Sequence, residues 1–387
     1  MAFIEREITA TVRDFREWFP IVYLGGPRQS GKTTLLRHLL PELPYASLED
    51  ADARQRAEDD PRRFLNSFPQ GAILDEAQRV PELFNYLQGL VDADKNRRFV
   101  LSGSQNFLMM ERITQSLAGR VGVLNLLPLS LREIEKSHAA PDLEDFAWRG
   151  GYPALHGERP VPPEFYFDSY IQTYLERDLR LLKNVGDLSQ FGKFMRLCAG
   201  RVGQPLNLST LANDTGVAVN TIKAWLSVLE ASYLIFKLPP YFENFNKRII
   251  KAPKIYFFDT GLLCNLLGIG SAAQLERHHY FGNIVENALI VEWYKKRANA
   301  GKRPKFWYWQ DQQGNEIDLL IEENGVLNAI EIKSSQTYNE RLAKGLRRWG
   351  EVSGAGPERR FLVYAGEQEG ELAAGYLLPW RKGLEGL

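Results

Sequence analysis

Along the first third of the chain, short unbroken apolar runs alternate with stretches whose apolar residues recur every three or four positions. The runs are IVYLGG from Ile21, AILDEA from Ala72, RFVLSGS from Arg98 and VGVLNLLPLS from Val121. Strands buried on both faces lack in–out alternation, so this pattern predicts a parallel sheet with helices on either side. From about Phe165 to Lys237 the pattern turns mostly helical, and Ile249–Phe258 reads as strand. Beyond Phe281 a helical stretch leads into the strand-like runs KFWYWQ, EIDLLIEE and VLNAIEIKS, followed by a helix and RRFLVYAG. With Gly268–Gly270 as punctuation, the expected units are residues 1–135, 136–270 and 271–387. A chain of 387 residues is too long for one typical hydrophobic core, which fits this division.

The first apolar run ends in Gly26-Pro27-Arg28-Gln29-Ser30-Gly31-Lys32-Thr33-Thr34 and opens the helix-like TTLLRHLL. This is the phosphate-binding loop pattern in its required context, strand before and helix after. Glycines let backbone N–H groups close around phosphate oxygens, and the helix N-terminus adds its positive end. Lys32 is expected at the β- and γ-phosphates and Thr33 on magnesium. Asp75 and Glu76 end the run from Ala72, so Asp75 is expected to hold magnesium and Glu76 to orient or activate water. Ser102 and Ser104 end the next strand, where they serve either as γ-phosphate sensors or as helix caps. Arg120, before the last strand, is either an arginine supplied to a neighbouring subunit, which requires a homo-oligomer, or a surface ion pair.

Residues Leu208–Leu226 carry helix–turn–helix grammar, with Ser209 and Asn220 as expected caps and Gly216 as the turn. Ile222, Leu226 and Leu229 fall on one helical face, and the flanking strands would form a wing. Nine basic against three acidic residues between Lys193 and Lys254 suit phosphate contacts, with Lys247, Arg248, Lys251 and Lys254 at the wing. Only Lys223 is basic on the second helix, so a purely structural or protein-binding role stands beside DNA binding.

Asn324-Gly325 is a preferred two-residue hairpin turn. It sets Glu323 against Val326, Asp318 against Glu331 and Glu316 against Lys333, with Glu316, Asp318, Glu331 and Lys333 on one face and Ile317, Leu319, Ile330 and Ile332 on the other. Facing carboxylates repel, and a divalent cation between them reverses that sign. Lys333 would then position water or stabilise charge on a scissile phosphate. Solvent-screened surface charges are the competing reading. The aromatic run Phe306–Trp309 is either a base-stacking platform or core.

Equal numbers of basic and acidic residues, 48 each, leave any nucleic-acid argument to local patches. Two distant cysteines, Cys198 and Cys264, suit a reducing compartment. Without a leader-like N-terminus or an apolar run of membrane-spanning length, the expectation is a soluble, cytoplasmic protein with no membrane partner.

GPRQSGKTTLL, ILDEAQ, LSGS, LAGRV, GGYPAL at Gly150–Leu155, YLERDL, KIYFFDTGLL and the EID…EIK pair occur in one order along nearly the whole chain. In this the chain resembles bacterial and archaeal AAA-type ATPases with an uncharacterised nuclease-like C-terminal domain. The resemblance implies an α/β P-loop ATPase core, a winged-helix-like middle and a C-terminal fold similar to PD-(D/E)XK nucleases. By it Asp318, Glu331 and Lys333 match the D…E-x-K pattern, and Glu286 is a further candidate ligand. The expected cofactors are ATP and magnesium. The leading expectation is ATP hydrolysis coupled to DNA, branched or damaged DNA included, with metal-dependent cleavage. The alternatives are an ATP-driven switch or assembly protein whose C-terminal fold only binds, and an NTPase acting on RNA or in a toxin–antitoxin or defence setting.

Overall fold

The computed structural model describes residues 3–104, 117–177, 188–242 and 252–387. Five strands, β1 (Ile21–Gly25), β2 (Tyr45–Ser47), β3 (Ile73–Asp75), β4 (Phe99–Gly103) and β5 (Val121–Asn125), form a sheet of order β2-β3-β4-β1-β5. Every pairing is parallel, as the unbroken apolar runs predict. Successive side chains go to opposite faces, and both faces are covered. Ile21 and Tyr23 join Leu74, Phe84 and Leu87 in one core, while Val22 and Leu24 join Val12, Leu35 and Leu36 in another. Strand β2 was not expected: three half-buried residues carry no periodicity.

A helical block follows, including Pro163–Arg177, Leu188–Ala199, Leu208–Thr215 and Val219–Ala231, and then β6 (Ile235–Leu238) paired antiparallel with β7 (Lys254–Phe257). Gly216 makes the turn in the left-handed region, φ 79°. The caps differ from expectation. Asn207, not Ser209, accepts from the Thr210 N–H, and the second helix begins after Ala218 with no side-chain cap, placing Asn220 inside it. The helix Phe281–Asn299 then crosses to a second sheet of order β12-β13-β11-β10-β9-β8. Its strands are β8 (Phe306–Gln310), β9 (Glu316–Glu323), β10 (Val326–Lys333), β11 (Arg360–Tyr364), β12 (Gly370–Leu372) and β13 (Gly375–Pro379).

One apolar cluster runs from Leu127 through Phe194, Trp225 and Leu289 to Trp380, so the helical block and the second sheet share a core. Polar clamps bind the units together. Buried Glu292 accepts from the Leu131 N–H at 2.8 Å and pairs with Lys295, whose ammonium also donates to the Leu129 carbonyl. The Asn287 amide grips both the N–H and the carbonyl of Phe257. Among the described residues, no helix is long and apolar enough to cross a membrane.

Candidate functional site: a phosphate-loop cleft

The loop after β1 lies at the carboxyl edge of the first sheet. Gly26 is required by shape: its φ is 149°, and a Cβ there would lie 2.1 Å from the Leu126 carbonyl oxygen. Gly31, φ 94°, starts the helix Lys32–Leu39. Lys32 is buried, and its ammonium donates to the carbonyls of Gly26 at 2.9 Å and Pro27 at 2.8 Å. Burial pushes its pKa down to about 8, against the raising effect of Glu76 and Asp75.

Asp75 gathers donors: the Thr33 hydroxyl at 2.6 Å, the Tyr45 hydroxyl at 2.8 Å and the Ser102 hydroxyl. Burial, then the Asp75 charge, pushes the Tyr45 phenol up to about 12. Ser102 is therefore committed to Asp75, whereas the buried Ser104 hydroxyl has no partner among the described residues. Glu76 follows in the left-handed region, φ 54°, with its carboxylate held by the Gln78 amide. Thr33 and Asp75 offer adjacent oxygen ligands, a set that suits magnesium completed by water and phosphate oxygens.

Above the loop an open cleft of about 890 Å³ is walled on one side by Arg28, Lys32, Thr33 and Glu76. Pro153, Phe165, Tyr166 and Tyr170, from the GGYPAL segment and the helix Pro163–Arg177, form the other wall. Sequence reasoning missed Tyr45, Gln78, Arg6 and this wall. Arg6 is buried, donating to the Ser30 and Leu127 carbonyls and pairing with Glu133 at 3.0 Å. No local pattern marks a single arginine before the first strand.

Arg120 lies away from this cleft. Its carbonyl accepts from the Ile21 N–H, at the amino edge of the sheet, opposite the phosphate loop, and its guanidinium pairs with Asp92 at 2.7 and 2.9 Å. Within this chain it forms a surface ion pair.

His156, just past the GGYPAL segment, contributes a pH dependence. Its Nε2–H donates to the Gly150 carbonyl at 2.8 Å. Burial pushes its pKa down to about 4, with Arg149 and His138 adding to the depression and Gly150 and Asp145 opposing it. The unfolded chain takes up this proton near the ordinary value of 6.5. The stability is thus fully present above 6.5 and is lost as pH falls toward 4. Between about pH 7 and pH 5 the loss is roughly 2 kcal/mol, and His156→Gln should flatten that part of the profile in denaturant titrations.

The C-terminal candidates assemble differently from expectation. Pairs from Glu323–Val326 to Leu319–Ile330 follow the predicted register. The ladder then stops before Asp318–Glu331, because β9 bulges: Trp307 pairs with Leu320 but Trp309 pairs with Ile317. The extra residue moves Ile317 into the core with Leu320, Ala329 and Trp349, away from Leu319, Ile330 and Ile332. Asp318 turns into the ladder and accepts from the Ile332 N–H at 2.7 Å. Lys333 lies 2.9 Å from Glu331 and 3.6 Å from Asp318. Glu316 is paired not with Lys333 but with Lys254 of β7, which also lies 3.7 Å from Glu286. Burial pushes the Glu286 and Glu331 carboxyls up to about 7, with the lysines opposing.

Two chain cations thus lie among four carboxylates, and among the described residues no group of three or more acidic, histidine or cysteine side chains is arranged to hold a metal ion. In this geometry Asp318 and Glu331 do not fit a magnesium site. Lys254 is buried, so it is no wing contact to phosphate; Lys247, Arg248 and Lys251 lie outside the described residues. Phe306, Tyr308 and Trp309 are core.

Residues 19–135 match the model of an AAA domain, and residues 140–273 and 281–382 match two domains of unknown function, DUF8612 and DUF4143. The uncharacterized protein Rv2008c of Mycobacterium tuberculosis is 35% identical over 338 residues, 86% of this chain and 74% of that protein. The chain belongs to the same family as Rv2008c. An uncharacterized protein of Haemophilus influenzae is 22% identical over 72% of this chain and 75% of its own. Among solved structures, the Walker-type ATPase PABY2304 of Pyrococcus abyssi aligns over 68% of this chain and 96% of its own, at 16% identity and a TM-score of 0.48. The chain joins an AAA domain to two domains of unknown function.

Proposed function

We propose that this chain binds and hydrolyses ATP in the cleft above Gly26–Thr33 and works as an ATP-driven switch. The observation that carries this reading is the convergence of Lys32, Thr33, Asp75 and Glu76 on one cleft whose far wall comes from the helical block. Lys32 would exchange its two loop carbonyls for β- and γ-phosphate oxygens, and Arg28–Thr34 would offer backbone N–H groups. Thr33 and Asp75 would hold magnesium, whose chemistry there is neutralising charge on the phosphates. Glu76 would orient and deprotonate the attacking water, and the buried Ser104 hydroxyl would meet the γ-phosphate. A wall contributed by a second unit ties nucleotide occupancy to that unit's position. Steady-state turnover with magnesium and ATP tests the reading, and a chain that neither binds nor hydrolyses ATP would overturn it.

The formed helix–turn–helix at Leu208–Ala231, with Asn220 and Lys223 exposed, favours a second reading in which the switch acts on DNA. That reading expects DNA to stimulate turnover. The buried ion pairs around Asp318 argue for a binding rather than a cleaving C-terminal fold. Accordingly, Asp318→Asn should leave ATP turnover intact, and neither it nor the parent should cut single-stranded, duplex or branched DNA in magnesium. Cleavage by the parent that disappears in Asp318→Asn would restore the nuclease reading.

A further inference from the structure

We infer that Tyr233, which belongs to the helical block, is a positioning residue of the nucleotide site. The inference rests on the ATPase reading above. Tyr233 is buried, and its backbone is held at φ 56°, where a bulky non-glycine residue is strained. That conformation delivers its ring across the unit boundary to the carboxyl edge of the first sheet. Its hydroxyl donates to the Asn125 side-chain oxygen at 2.9 Å, at the end of β5. It neighbours Tyr23, whose own hydroxyl reaches toward the Gly103 carbonyl at the end of β4.

The space it fills is the space Gly25 leaves open: a Cβ on Gly25 would lie 2.3 Å from the Tyr233 hydroxyl. Gly25 immediately precedes the phosphate loop, and Ser104 immediately follows Gly103. One tyrosine from a different unit therefore supports the floor under both the loop and the γ-phosphate side of the cleft.

Its backbone is tied in turn to the second helix of the helix–turn–helix. The Tyr233 N–H donates to the Glu230 carbonyl and the Leu234 N–H to the Leu229 carbonyl. Strand β6 begins two residues later, and its far end pairs Leu238 with Lys254 of β7, the lysine among the C-terminal carboxylates. At about 3.3 Å per residue this ribbon is on the order of 10 Å long. It has the phosphate-loop floor at one end and the carboxylate cluster at the other. Movement of the helical block thus shifts Tyr233, and with it the loop's starting point.

The test compares the full-length parent with Tyr233→Phe, Gly25→Ala and the double variant, reading kcat and KM for ATP, affinity for a fluorescent ATP analogue, and Tm. Tyr233→Phe should lower kcat about tenfold, the size expected for one lost buried hydrogen bond, with KM within about twofold. Gly25→Ala should lose most turnover, and adding Tyr233→Phe should recover part of it by removing the clashing oxygen. Parental kcat in Tyr233→Phe overturns the inference, as does a double variant no better than Gly25→Ala. So does a fall in kcat that vanishes when assayed well below Tm, since that marks a purely structural role. A parent that binds or turns over no ATP overturns the ATPase reading and this inference together, and the parent's own measurement separates the two cases.

Discussion

Lys32→Ala should leave a folded protein with ATP turnover reduced by on the order of 100- to 1000-fold. Each charge-assisted hydrogen bond from an ammonium to phosphate contributes about 1.5–3 kcal/mol, and Lys32 is placed to make such contacts with more than one phosphate. Stability should hardly suffer. Burial has already pushed the ammonium's pKa down to about 8, which is the signature of a charge poorly solvated within the loop. Removing it relieves that cost while freeing the Gly26 and Pro27 carbonyls. Thermal unfolding near the parental temperature together with lost binding of a fluorescent ATP analogue is the expected pair of results. Normal turnover would place the nucleotide elsewhere.

The second large effect belongs to Glu76→Gln. Glutamine keeps the shape and an acceptor oxygen for the Gln78 amide but cannot accept a proton from water. General-base catalysis contributes about 10²–10⁴-fold, so kcat should fall within that range while nucleotide affinity stays within about twofold. The two variants separate binding from chemistry: one loses both, the other only turnover. A Glu76→Gln protein with parental kcat would assign water activation to a different group.

How much of this was readable beforehand follows from where the information sits. The phosphate loop was legible because its chemistry needs consecutive residues: Gly26 must avoid the Leu126 carbonyl, and Lys32 and Thr33 must open a helix. The parallel sheet was legible because strands covered on both faces are apolar throughout. The hairpin at Asn324-Gly325 was legible in its turn and first five pairs, then lost at the β9 bulge. A bulge is set by the neighbouring strand, here Tyr308 facing two residues, and leaves no mark on alternation within β9 itself. The error propagated, since a one-residue shift changed the partners of Glu316 and the surroundings of Ile317. Lys254 was misjudged for a related reason. A basic residue in a basic stretch looks like surface, and only the fold brings Glu286 and Glu316 to it. Tyr45, Arg6 and Tyr233 act on the site from distant sequence positions, and their roles are purely tertiary.

The brace at Arg6 bears on how the protein can be divided. Its guanidinium holds the Ser30 and Leu127 carbonyls and neutralises Glu133, which is wholly buried. Residues 19–135, the part that matches an AAA domain, include Glu133 but exclude Arg6. Excised at those bounds, the segment would lose both the guanidinium and the Glu7 N–H that hold this carboxylate. It would also lose the clasp on its phosphate loop. Such a fragment would be a poor surrogate for the whole protein in crystallisation or inhibitor screening, because the inherited module is smaller than the mechanical one.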